Sequence, residues 1–116
     1  MKELTLNEYL QRAMTTCTPS SRNFSYMFLN LVGEVGEFAS KVAKAIRKEE
    51  NCIEYNDLAI VENEEELQKE AGDILWQLSG LCSVMGWKLE HIGQQNLDKL
   101  ASRKQRNVIV GDGDNR

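Results

Sequence analysis

Between Phe24 and about Lys48 the apolar residues Phe24, Phe28, Leu31, Val35, Phe38, Val42 and Ile46 recur at alternating spacings of three and four. That period lays them along one side of a single long helix. The only proline, Pro19, sits in a break from Thr15 to Asn23 just before it. Few aromatics and abundant Leu, Glu, Lys, Gln and Ala favour helices over a sheet through the rest of the chain, so the expected class is all-α. A chain of 116 residues fits one domain spanning 1–116 and buries roughly two-thirds of its extended surface on folding.

Three further helices follow from the same kind of signal. Thr5-Leu6-Asn7-Glu8 is a capping pattern that opens a short first helix with Leu6, Tyr9, Leu10 and Ala13 as its buried stripe. After the long helix, residues 49–62 read as an exposed connection, in which Leu58-Ala59-Ile60-Val61 either packs or pairs as a strand. Asn63-Glu64-Glu65-Glu66 then caps a second long helix, whose stripe is Leu67, Ala71, Ile74, Leu78, Leu81 and Met85. Trp76 falls about half a turn off this stripe, which predicts an exposed aromatic covered by an oligomer contact. Gly86 ends that helix, and the fourth runs from near Lys88 to about Arg106. Residues 107–116 form a non-helical tail rich in Gly and Asp.

Two acidic pairs lie beside these stripes. Glu34 and Glu37 share a flank of the long helix with Asn30 and Lys41, while Glu70 and Asp73 share an edge of the next with Glu66 and Gln77. Gly33 and Gly36 interrupt the first pair and predict close approach by another backbone or a ligand. A single acid-x-x-acid pair is an ordinary solvated edge. Two pairs on helices long enough to pack antiparallel would bring four carboxylates together, a costly arrangement unless a divalent cation neutralises them. Oxygen ligands favour Mg²⁺ first and Mn²⁺ second. On the fourth helix Asn96, Lys99 and Arg103 line one side, as either a solubilising face or the cationic half of a triphosphate site.

Composition excludes several partners. A net charge of −4 argues against a nucleic-acid polymer. Three cysteines, Cys17, Cys52 and Cys82, without C-x-x-C spacing argue against a disulfide framework or a zinc site. No signal-peptide pattern or membrane-length apolar run is present in the sequence, so a cytoplasmic protein is expected. His91, the single histidine, is expected at the surface. Phe24, Tyr26, Phe28 and Trp87 are read as core residues, with stacking on a base as the alternative.

The series Leu31-Val32-Gly33-Glu34-Val35-Gly36-Glu37, then Glu70-Ala71-Gly72-Asp73-Ile74-Leu75-Trp76, then Asn96-Leu97-Asp98-Lys99-Leu100 through Arg103, resembles the MazG-type all-α nucleoside triphosphate pyrophosphohydrolases. That resemblance implies a four-helix-bundle-like fold working as a homodimer or homotetramer. It implies Mg²⁺-dependent hydrolysis of a nucleoside triphosphate to the monophosphate and pyrophosphate. Glu34, Glu37, Glu70 and Asp73 match the metal-binding acids, Asn96 a polar position near the site, and Lys99 and Arg103 phosphate-contacting positions. The ending Gly111-Asp112-Gly113-Asp114-Asn115-Arg116 is similar to a G-x-G-D-x-R ending of small relatives, which implies Asp114 and Arg116 folded over the substrate phosphates or a neighbouring subunit, with a frayed terminus as the alternative. In the mechanism it implies, water attacks phosphorus with one acid of the first pair as general base, Glu37 ahead of Glu34. Two other functions fit the same residues: phosphoribosyl-ATP pyrophosphohydrolysis, and a non-catalytic helical interaction module.

Overall fold

The computed structural model of the protein describes residues 2–47, 64–114 and 116. Among them lie four α-helices and no strand: α1 (Leu6–Met14), α2 (Phe24–Arg47), α3 (Glu64–Val84) and α4 (Leu89–Gln105). The cap expected from Asn63 and the run Leu58 to Val61 lie outside the described residues.

Local chemistry sets the helix ends. Thr5 Oγ1 accepts a hydrogen bond from the Glu8 amide at 3.1 Å and starts α1. Thr15 and Thr16 turn their hydroxyls onto the Arg12 and Ala13 carbonyls, both at 2.7 Å, and close it. A short 3-10 turn, Pro19–Ser21, leads to Asn23, whose Oδ1 accepts from the Tyr26 amide at 2.8 Å and caps α2. At the end of α3, Gly86 takes φ +71. The Trp87 amide then reaches the Cys82 carbonyl at 2.8 Å, and the Gly86 amide reaches Ser83 at 3.1 Å. This pair of bonds needs a left-handed residue, which glycine supplies without a Cβ clash.

The helices pack as a chain of neighbours: α2 on α3, α3 on α1, and α1 on α4. α2 and α3 run antiparallel, since Met27 meets Gly80 at one end and Ala45 meets Leu67 at the other. One apolar cluster joins Met14, Cys17 and Met27 with Leu10, Ala13, Trp76, Leu81 and Val84. A second joins Ala45 and Leu67 with Phe38 and Val42. No described helix is long and apolar enough to cross a membrane.

Several side chains lie elsewhere than periodicity predicts. α2 turns the line Met27, Leu31, Phe38 and Ala45 toward α3, whereas Phe24, Phe28, Val35 and Ile46 remain exposed. The apolar arc of α2 is wider than one neighbouring helix can cover, so one edge is buried and the other is left open. Phe24 and Phe28 stack on each other at 5.8 Å on the open edge, and Tyr26 and Trp87 are exposed as well, so none of the four is a core residue. Leu6 and Met85, expected inside, are also exposed.

Trp76, expected outside, is half-buried against α1 and donates its indole N–H to the Ala13 carbonyl at 3.2 Å and to Thr16 Oγ1 at 3.0 Å. The short α1 lies across that side of α3, a placement the period of α3 alone does not encode. The close approach expected at Gly33 and Gly36 is found instead at Gly80. A methyl there would collide with Met27, while one at Gly36 would meet nothing within 4 Å.

Candidate functional site

The acids converge where the middle turns of α2 and α3 cross. Glu34 projects from α2, and Glu70 and Asp73 from α3; one carboxylate oxygen of each lies within 4.8 Å of the others. Two full negative charges at such a separation repel by roughly 3 kcal/mol at an effective dielectric constant of about 20, less where water screens the exposed Asp73. Glu70 is only 8% exposed. Its Oε2 and the Oε2 of Glu34 are both buried without a hydrogen-bond partner among the described residues. Buried carboxylate oxygens are normally paired, and two orphans on acids grouped with a third fit the coordination of a hard divalent cation.

Electrostatics shows the same strain. Burial pushes the Glu34 carboxyl above its ordinary value, and the neighbouring charges of Glu37, Asp73 and Glu70 push it further. Glu37 lies outside the group of three, exposed on α2 but close enough for its carboxylate to act on Glu34. The α2–α3 crossing therefore assembles three of the four acids and leaves the fourth at its edge.

Two further residues act on these acids: Lys41, which the sequence places on the acidic flank without a role, and Tyr9, which it reads only as part of the α1 stripe. Lys41 reaches from α2 to Glu70 Oε1 at 2.9 Å and to Glu66 Oε2 at 3.3 Å. Its spacing from Glu37 places it on the acidic flank, but only the register of α3 reveals its partners. Tyr9 comes from α1; its hydroxyl is pushed above the usual range first by burial and then by the charge of Asp73. Beside it an open groove of about 590 Å³ is lined by Leu4, Tyr9, Arg12, Ala13 and Thr15.

The cations of α4 are organised differently. α4 packs on α1 through Leu6 at Gly93, and through Asn7, which bonds the Glu90 carboxylate at 2.9 Å and its amide at 3.2 Å. Lys99 and Arg103 make no ion pair with the acids of α2 and α3. They meet the tail instead: Asp114 Oδ1 lies 3.1 Å from Lys99 Nζ and 3.2 Å from Arg103 Nη2. Both hydrogen bonds, Lys99 first, hold the Asp114 carboxyl below its ordinary range.

Arg103 is buried under this turn and also donates to the Gly113 carbonyl at 3.4 Å. Arg116 folds back onto the carbonyls of Val108, Ile109 and Gly113, so it fastens the tail to itself. Asn96 stands with Ile92, Gln95, Lys99 and Asp114 around a second hollow of about 390 Å³. His91 is exposed.

Residues 22–108 match the family described as MazG nucleotide pyrophosphohydrolase domain. That span contains Glu34, Glu37, Glu70, Asp73, Asn96, Lys99 and Arg103 and stops before Asp114 and Arg116. The Gene 37 protein of Mycobacterium phage L5 is 42% identical over 97 residues, covering 84% of this chain and 80% of that protein. No solved structure matches the chain.

Proposed function

The chain belongs to the MazG nucleotide pyrophosphohydrolase family, hydrolases of nucleotide phosphoanhydride bonds, and on that premise we propose that it cleaves a nucleoside triphosphate to the monophosphate and pyrophosphate. The substrate is a ribo- or deoxyribonucleotide, and the cation is Mg²⁺, with Mn²⁺ as a substitute. The single observation that carries this reading is the meeting of Glu34, Glu70 and Asp73 with two buried oxygens unpartnered.

Glu34, Glu70 and Asp73 hold the ion, which supplies charge neutralisation and Lewis acidity to the phosphates. Glu37, at the solvent side of the cluster, is the general base: it takes the proton of the attacking water as the new bond to phosphorus forms and pyrophosphate leaves. Glu34 is less suited to that part because one of its oxygens is buried and it belongs to the group of three acids. Lys99 and Arg103 receive the phosphates, with Asn96 beside them, and Asp114 gives way as they do so. Arg116 keeps the tail folded near them.

A second copy of the chain covers the open edge of α2, where Phe24, Phe28, Val32 and Val35 are exposed. Fully burying side chains of this kind contributes about 1.5–3 kcal/mol each, so a homodimer or homotetramer built on that edge is favourable. A cytoplasmic role in removing unwanted nucleotides from the pool is compatible with that reaction.

The test is a panel of canonical and altered nucleotides, phosphoribosyl-ATP included, with pyrophosphate and monophosphate detected separately. Release of both products with Mg²⁺, lost on chelation and restored on adding the ion back, is the expected result. No pyrophosphate from any nucleotide with Mg²⁺ or Mn²⁺, from a protein that stays helical, would overturn the proposal in favour of a binding module.

A further inference from the structure

We infer that Lys41 is a positioning residue that sets which cation the acids accept: by holding one oxygen of Glu70, it leaves that carboxylate a single oxygen for the ion and so favours Mg²⁺ over Ca²⁺. The inference rests on the cation site proposed above and adds the control of its selectivity.

The geometry is specific to one oxygen. Lys41 Nζ lies 2.9 Å from Glu70 Oε1, while Oε2 of the same carboxylate is buried without a partner among the described residues, and Glu70 belongs to the group of three acids. The ammonium is steadied by Glu66, one turn earlier on α3, at 3.3 Å, and Glu66 is itself approached by Lys69 at 3.7 Å. Lys41 is thus anchored on two successive turns of α3. The Glu70 side chain is 11% exposed, so it has little room to rotate and present both oxygens inward.

Coordination chemistry turns this contact into selectivity. Mg²⁺ requires near-octahedral ligands at about 2.0–2.1 Å and takes carboxylates through single oxygens, whereas Ca²⁺ accepts roughly 6–8 ligands and commonly takes both oxygens of one carboxylate. A Glu70 with one oxygen occupied suits the smaller ion. Groups that orient a ligand in this way typically shift metal affinity by about 10–100-fold when removed.

The test measures Mg²⁺ and Ca²⁺ binding to the full chain without nucleotide, each by displacement of Mn²⁺ followed by electron paramagnetic resonance. Wild-type protein should bind Mg²⁺ at least as tightly as Ca²⁺. Lys41→Met, which keeps the length and loses the donor, should shift the ratio of the two affinities toward Ca²⁺ by about tenfold. Glu66→Gln, an exposed change that loosens Lys41 without touching Glu70, should shift the ratio in the same direction by a smaller factor and stands in should the first variant fail to fold. A ratio unchanged in the folded variants, with both affinities moved equally or not at all, would overturn the role of Lys41 while leaving the cation site in place. Wild-type protein that binds none of the three ions would overturn the site itself, and the inference with it.

Discussion

Two charged regions of this molecule have opposite internal states. At the crossing of α2 and α3, like charges are pressed together and two buried oxygens have no partner. Along α4, Lys99 and Arg103 are already matched by Asp114 from their own chain. The first region gathers three carboxylates with two buried oxygens unpartnered, whereas the second sets one exposed carboxylate against two cations and leaves Arg103 Nε buried without a partner among the described residues. A magnesium triphosphate carries both a cation and anionic groups. On the proposed function its metal would sit with the acids, and its phosphates would take the place of Asp114 on the cations.

The largest effects should come from breaking the acidic side. Glu37→Gln, at the edge of the cluster, should lower kcat by about 10²–10⁴-fold and leave Mn²⁺ affinity within about twofold, as expected of a general base. Glu70→Gln should abolish both turnover and Mn²⁺ binding. Equal loss of metal affinity in the two variants would make Glu37 a ligand and remove the distinction between the three acids and the fourth.

On the cationic side, Lys99→Ala should raise KM by about tenfold with a smaller change in kcat, the loss of one charge-assisted phosphate contact. Steady-state kinetics decides this. An unchanged KM would remove Lys99 from the phosphate site.

The acidic crossing also makes the metal-free protein sensitive to pH. Burial, then Glu37, Asp73 and Glu70, raise the Glu34 carboxyl above its ordinary value of 4.5. The folded chain therefore retains a proton that the unfolded chain has lost, and stability falls as pH rises from about 4.5 through the folded pKa. Melting temperature in a chelating buffer should decline across that window, and saturating Mg²⁺ should remove the decline. A melting temperature that rises through the same window would show that the acids are already compensated.

The smallest effect belongs to the tail. Asp114 is 84% exposed, so its pairs with Lys99 and Arg103 are weak in water. Asp114→Asn should tighten inhibition by pyrophosphate by about two- to fivefold, because the phosphate no longer competes with a carboxylate. Weaker inhibition would mean that Asp114 orients the cations and does not oppose the substrate.

Much of this was legible in the residues, for identifiable reasons. Thr5, Pro19 and Gly86 act through their own backbone neighbours, so the helix ends they imply are found in the structure. The meeting of Glu34 with Glu70 and Asp73 was legible because the acid pairs lie on two helices long enough to pack antiparallel, although Glu37, expected with them, lies outside the group. The facing of α2 was not: its apolar arc has two usable edges, and the choice of the edge carrying Met27 and Ala45 depends on α3. Trp76 was misplaced because its partner, α1, is remote in the chain. The ion pairs of Lys41 and the seating of Asp114 on α4 depend on contacts between distant turns, which no spacing within one helix encodes.

The proposed function depends most directly on whether the acids at the α2–α3 crossing bind a divalent ion. Protein stripped of metal and titrated with Mn²⁺, with free ion followed by electron paramagnetic resonance, should show saturable binding that Glu70→Gln abolishes and Asp114→Asn leaves unchanged. Folded wild-type protein that leaves all the Mn²⁺ free, or a Glu70→Gln variant that binds it as the wild type does, would contradict it.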